Sequence, residues 1–357
     1  MRPSRIYCSP TALLHNLNQV KQSAPKQKVM VVVKANAYGC GISNVIPVLE
    51  GHVDAFAVAS FQEGMAIRNL GSRTECVLLQ SFFSYDELVC IADAGFQCVI
   101  HSQEQLAMLL ASAAPKKIKI WIKIDTGMHR LGFRPEDVYD VVQAVASCPW
   151  VKSEIGLMSH FACADEQLNP YSMMQLTQFN DLHLPKLKYV CSLANSAAIL
   201  SMPKAHADVV RPGIMLYGVS PFPDKVGSDF GLVPVMRLLS EITAIHEFPA
   251  HSPIGYGGTW FSEKPSVIGV VPVGYADGYP RHIRPQTPAW VDGFIAPLVG
   301  RVSMDMLTLD LTAVPNAKVG SPVELWGEHI PVEVIAKSAD TIAYELLTKI
   351  TPRVRDV

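Results

Sequence analysis

The chain has 357 residues, 49% of them apolar and 17% charged, with 30 Lys and Arg against 32 Asp and Glu for a formal net charge of −2. That length is a prior of about two domains burying on the order of three quarters of the unfolded surface, which excludes a peptide or a staple-dependent scaffold. The balanced charge leaves no electrostatic footprint for nucleic acid or for an anionic membrane.

From its start, Met1-Arg2-Pro3-Ser4-Arg5-Ile6-Tyr7, the chain offers no apolar segment of the secretory type. No later apolar run reaches the 18 or so residues of a membrane span, so it reads as soluble and cytoplasmic. Strands are then predicted at Val29–Lys34, Asp54–Ser60, Cys76–Ser81, Gln97–Ser102, Ile118–Asp125, Glu154–His160, Tyr189–Leu193 and Asp208–Tyr217. Between them lie segments such as Gln62–Leu70, Glu87–Ala94, Gln103–Ala111 and Glu136–Ala146, with apolar residues at helical spacing. Strands that are continuously hydrophobic belong to a parallel sheet covered on both faces. Eight such units predict an α/β fold beginning with an N-terminal (β/α)8 TIM-like barrel, with an open doubly wound sheet as the alternative.

After about residue 225 the pattern changes to strand-like runs at Val235–Phe248, Val267–Val273, Trp290–Val299, Met306–Leu311 and Val323–Trp326, with a hairpin dipeptide at Asp292-Gly293. A helical segment is predicted over Val332–Ile350, after Pro331. This is a C-terminal, mostly β domain, and the boundary is expected between residues 228 and 229. All eight cysteines (Cys8, Cys40, Cys76, Cys90, Cys98, Cys148, Cys163 and Cys191) precede residue 192 and none forms a C-x-x-C pair. Free cytosolic thiols are the simplest reading, with no metal site.

Lys34 ends the first predicted strand, where barrel enzymes place catalytic groups, and an apolar strand behind an amine lowers its pKa and frees a lone pair for Schiff-base chemistry. Gly39-Cys40-Gly41 fails as a dinucleotide fingerprint because Asn44 occupies the third glycine position. Polar residues gather at later strand ends: Lys123 to Arg130, Ser159-His160, Asn195-Ser196 and Arg211-Pro212-Gly213-Ile214. Each alone has an ordinary structural explanation, such as a helix cap at Ser196; together on one barrel rim they predict a site. The loops after strands seven and eight are the usual phosphate-binding place of this fold, with Ser196 and the Ile214 amide as donors.

Val33-Lys34-Ala35-Asn36-Ala37-Tyr38-Gly39 resembles the pyridoxal phosphate attachment motif of alanine racemases. The resemblance continues in order through Asp125–Gly132, Met158–Phe161, Asn195–Ala198, Val210–Gly218, Gly274–Arg281 and Gly300–Asp305, spanning nearly the whole chain. It implies a barrel followed by a β domain that the first ten or so residues join, and a homodimer with shared active sites acting on alanine with pyridoxal 5′-phosphate. Carried over motif by motif, Lys34 resembles the residue that holds the cofactor covalently and serves as one catalytic base. Tyr275 resembles the second base, given by the partner subunit to the opposite face.

The same resemblance implies that Arg211 faces the pyridine nitrogen and that His160 links that arginine to the tyrosine. Tyr38, Asn195, Ser196, Gly213, Ile214 and Tyr344 complete the cofactor site. Arg130 and Met304 meet the substrate carboxylate, Asp305 supports them, and Lys123 matches a lysine often carbamylated in the family to prop that arginine. The implied activity interconverts L- and D-alanine by two bases, supplying D-alanine for peptidoglycan or consuming it in catabolism; a broader amino-acid racemase is the alternative. A decarboxylase of the same barrel type is disfavoured by the block around Tyr275, and a carrier consisting of the barrel alone would lack it. The sequence departs from the family at Ser303, where many relatives carry Cys, and in its last residues, Thr351-Pro352-Arg353-Val354-Arg355-Asp356-Val357.

Overall fold

The computed structural model describes residues 2–113, 116–182, 184 and 189–354. The first strand, β1 (Arg5–Cys8), precedes a helix over Pro10–Ser23 and eight short strands: β2 (Lys28–Val32), β3 (Ala55–Val58), β4 (Glu75–Leu78), β5 (Gln97–Ile100), β6 (Ile120–Lys123), β7 (Gly156–Met158), β8 (Val190–Ser192) and β9 (Val209–Val210). Strands β2 to β8 lie side by side in chain order, all parallel, and β9 pairs with β2 on its free side. At the remaining seam the Asp208 amide donates to Cys191 O at 3.1 Å, the Arg211 amide to Ala194 O at 2.9 Å, and Ser192 Oγ to Val209 O at 2.7 Å. The ring is nearly closed, which decides for the barrel: an open sheet would not return its last strand to its first.

Burial on both faces explains the unbroken apolar strands. All of β3 and β5 is buried, as is all of β2 and β4 except the first residue of each. Three outer helices, Phe61–Asn69, Tyr85–Ala94 and Gln103–Ala111, open on the same device. Ser60, Ser84 and Ser102 each accept the amide three residues on, at 3.2–3.3 Å. Glu63, Glu87 and Gln105 reach back to the amides of Ala59, Phe83 and His101 at 2.7–2.9 Å. Each cap contributes about 1 kcal/mol and fixes the strand-to-helix loops on the rim where the polar motifs collect.

The second sheet comprises β10 (Met236–Glu241), β11 (Ala244–Phe248), β14 (Ser266–Val271), β15 (Pro288–Val291), β16 (Phe294–Val299), β17 (Leu307–Asp310) and β18 (Pro322–Trp326), with a separate small pair, β12 (Pro253–Ile254) and β13 (Trp260–Phe261). Its pairings are antiparallel, and β1 forms one edge by pairing with β10. The run expected over Val235–Phe248 divides because the chain changes partner: the Ile242 amide donates to Ser321 O, the next amide to Val270 O. Asp292 and Gly293, at φ of 48° and 91°, make the two-residue turn between β15 and β16.

The helical segment expected over Val332–Ile350 is two helices, Val332–Ser338 and Ala343–Thr348, broken where Asp340 takes φ of 51°. The last barrel strand is shorter than expected, because Ile214–Tyr217 folds as a tight turn rather than extending β9. One apolar core is continuous from the barrel strands through Tyr217 and Met236 into the second sheet. No helix among the described residues is long and apolar enough to cross a membrane.

Candidate active site

Strand β2 stops at Val32, so Lys34 stands in a turn over Lys34–Tyr38 rather than in the strand as expected. Ala35, Asn36, Ala37 and Tyr38 all have φ of 51–53°, a left-handed conformation that costs roughly 1–2 kcal/mol for each non-glycine residue. The surroundings enforce it. Glu63 Oε1 accepts the Ala35 amide at 2.8 Å and Asn36 Oδ1 accepts the Ile42 amide at 3.1 Å. Gly39, at φ of 84°, lies so close to the second domain that a Cβ would sit 2.0 Å from Leu347 O. Strain held at a rim in this way over-determines where one side chain points, and Lys34 points into the barrel mouth.

That mouth is a cavity of about 680 Å³. Lys34, Tyr38, Lys123, Arg130, His160, Asn195, Ser196, Arg211, Gly213 and Ile214 line it from the barrel, and Tyr344 reaches it from the last helix of the sheet domain. Of the expected site residues, Tyr275, Met304 and Asp305 do not line it.

Arg211 is buried and saturated with acceptors: Nη1 donates to Ser192 Oγ at 2.6 Å, and Nη2 to Ser159 O at 2.6 Å and Leu193 O at 3.1 Å. Nη2 also lies 3.3 Å from His160 Nδ1. Burial lowers Arg211 to about 10, so it remains a cation at neutral pH. Burial, then the charges of Lys123, Arg211, Arg130 and Lys34, pushes His160 well down. His160 is therefore neutral, with Nδ1 as the acceptor toward Arg211. Burial and then the nearby arginines hold Lys123 well below the usual lysine range; burial and Arg130 lower Lys34, against Glu63. The cavity combines cationic and neutral nitrogen groups, an environment for a small anion.

Ser196 Oγ accepts the Gly213 amide at 2.9 Å and the Met215 amide at 3.3 Å, leaving the Ile214 amide between them without an acceptor among the described residues. The cap of the helix Ser196–Ser201 is Asn195, whose Oδ1 accepts the Ala198 amide at 3.0 Å, not Ser196. A Cβ on Gly213 would lie 2.6 Å from the Tyr38 hydroxyl, so only glycine leaves that wall open. Tyr38 stacks on Tyr217 at 4.5 Å and faces Tyr344 at 6.2 Å. Burial raises both the Tyr38 and Tyr344 hydroxyls, which keeps them neutral donors.

Tyr275, Met304 and Asp305 sit together on the sheet domain. The Tyr275 amide donates to Ser303 O at 3.1 Å and the Ala276 amide to Met304 O at 3.0 Å, while Asp305 accepts Arg353 Nη2 at 2.6 Å. All three side chains are exposed, Tyr275 by 39% and Met304 by 52%. Residues 355–357 of the atypical tail lie outside the described residues. Sequence reasoning missed Glu63, whose signal was the Ser60-x-x-Glu63 cap pattern, and His101, a cavity-wall residue that carries no local signal.

Chemistry gathered at the carboxyl ends of barrel strands, over a cradle of amide and hydroxyl donors, makes this a (β/α)8-barrel enzyme with an appended sheet domain. The family models described as "Alanine racemase, N-terminal domain" and "Alanine racemase, C-terminal domain" match residues 9–221 and 235–357. The chain belongs to the alanine racemase family. It is 54% identical over 354 residues to an alanine racemase of Legionella pneumophila (strain Lens), covering 99% of each chain, and 48% identical over 359 residues to one of Nitrosomonas eutropha, covering 100% and 99%. Among solved structures it is similar to the biosynthetic alanine racemase of Pseudomonas aeruginosa, with a TM-score of 0.95 at 42% identity over 100% of this chain and 99% of that one. The alanine racemase of Acinetobacter baumannii gives 0.93 at 40%, with the same coverage.

Proposed function

We propose that the chain interconverts L- and D-alanine as a pyridoxal-phosphate-dependent isomerase, with two bases on opposite faces of the bound amino acid. The observation that carries the reading is one cavity holding a desolvated lysine, a buried arginine bonded to a neutral histidine, and a hydroxyl-and-amide cradle with no room for a Cβ at Gly213. These residues fit pyridoxal phosphate. Lys34 would hold it covalently, Arg211 would face its ring nitrogen, and Tyr38, Asn195, Ser196, Gly213, Ile214 and Tyr344 would hold its phosphate end. Bound there, it supplies the electron-withdrawing system that side chains lack, since acid–base help alone contributes only about 10²–10⁴-fold.

The protein's own groups direct the proton transfers. Lys34, with its lowered pKa, takes or returns the proton on the D side. Tyr275 from a second copy of the chain does so on the L side; within one chain Tyr275 and Met304 are both outside the cavity, which supports a shared site and a homodimer. Arg211 stays charged and would keep a ring nitrogen held beside it unprotonated, which would limit charge delocalisation and suppress side reactions. Arg130 and the Met304 amide bind the substrate carboxylate, and Asp305 secures the Met304 loop. Burial and the nearby arginines lower Lys123, which favours the uncharged amine that adds carbon dioxide, and the resulting carbamate would hold Arg130.

We divide the chain into residues 1–228 and 229–357 for these roles, with residues 1–10 counted with the second part. Eight cysteines outside any disulfide fit a cytoplasmic setting. The test is to follow each L-amino acid in D2O by NMR with the cofactor-loaded protein. L-Alanine should lose its α-proton signal, and D-alanine should accumulate on chiral chromatography of the same mixture. Equal turnover of many amino acids would favour the broader racemase, and no exchange with alanine would contradict both.

A further inference from the structure

Tyr275 stands on a turn that Asp277 holds from beneath. Asp277 is fully buried, and its Oδ2 accepts the Gly274 amide at 2.8 Å. The rest of the carboxylate is taken by Arg2 in a two-pronged contact, Nη1 to Oδ1 at 2.5 Å and Nη2 to Oδ2 at 2.6 Å. The same Nη2 donates to Asp305 O at 3.0 Å. One planar cation therefore joins the turn that carries Tyr275 to the loop that carries Met304 and Asp305.

Arg2 is itself anchored. Two residues on, Ser4 Oγ donates to Pro272 O at 2.6 Å, and β1 then locks onto β10 from Arg5. Arg353 reinforces the cluster from the exposed side, bonding Asp305 at 2.6 Å and approaching Asp277 at 3.5 Å. Only arginine presents parallel donors to both carboxylate oxygens while reaching a carbonyl; lysine offers a point charge on a flexible stem.

We propose that Arg2 is a positioning residue for the second base, setting the tilt of the Tyr275 turn and its distance from the Met304 loop. The proposal rests on the reading of Tyr275 as that base. A general base must lie within about 2.6–3.2 Å of the proton it takes, and a displacement of about 1 Å costs on the order of 100-fold. The loss should fall on one enantiomer, because Lys34 is held by a separate network around Glu63.

The test uses the loaded full-length dimer as wild type, Arg2→Ala, Arg2→Lys and Tyr275→Phe, and measures α-proton exchange with D2O separately from L- and D-alanine. Arg2→Ala should slow exchange from L-alanine by roughly tenfold to 100-fold while exchange with retention from D-alanine stays within about twofold. Arg2→Lys, which keeps a positive charge beside Asp277 and guards against unfolding, should fall between. If Tyr275→Phe is selective for L-alanine and Arg2→Ala slows both enantiomers equally or neither, the role of Arg2 is overturned. If Tyr275→Phe itself slows both equally, the reading of Tyr275 fails and the proposal falls with it.

Discussion

Lys34→Ala should leave a folded protein that no longer holds pyridoxal phosphate covalently. Its absorption band for covalently held cofactor should be absent after dialysis, and its racemase activity should fall by at least the 10²–10⁴-fold typical of losing a general base. The effect should be this large because one side chain is proposed for two roles, anchor and base. Folding should survive because Lys34 projects into the cavity and the turn around it is held by Glu63 and Asn36 instead. An unchanged spectrum after dialysis would remove Lys34 from the account.

Tyr275→Phe should produce the second large loss, and its form is more informative than its size. The two enantiomers are equal in free energy, so steady-state kcat/KM must fall equally in both directions whichever base is lost. Exchange with solvent deuterium escapes that constraint. With the tyrosine hydroxyl gone, Lys34 can still remove and return a proton on its own face, so D-alanine should exchange with retention of configuration. L-Alanine should exchange slower by on the order of 10²–10⁴-fold. Equal slowing from both enantiomers would argue against the assignment.

Much of the fold and of the cavity lining was legible in the sequence, for identifiable reasons. The barrel was readable because strands buried on both faces must be continuously apolar, and β2 to β6 are nearly all buried. Placing the site on the barrel rim followed from polar residues at successive strand ends. Boundaries were less legible. Val235–Phe248 has one composition throughout, yet it serves two partners, and partner exchange is decided by β18 and β14, far away in sequence.

The turn at Lys34 was not readable, since of Ala35, Asn36 and Ala37 only Asn36 has a local tolerance for the left-handed region. Glu63 and the contact of Gly39 with Leu347 impose it from elsewhere in the chain. The same holds for the cap beside the cradle: an Asn-Ser pair offers two candidates, and only the fold assigns the cap to Asn195 and frees Ser196 to bind the loop after β9. Arg2 lay outside every motif, because its partner is 275 residues away.

In the shared-site reading each active site is completed by two copies of the chain, Lys34 from one and Tyr275 from the other. Mixing inactive Lys34→Ala and Tyr275→Phe homodimers under conditions of subunit exchange tests it most directly, since every mixed dimer then contains one site with both bases intact. Random pairing should restore roughly a quarter of the wild-type specific activity, half of the dimers being mixed and each restoring one of two sites. Proven mixed dimers with no recovered activity would contradict the shared site.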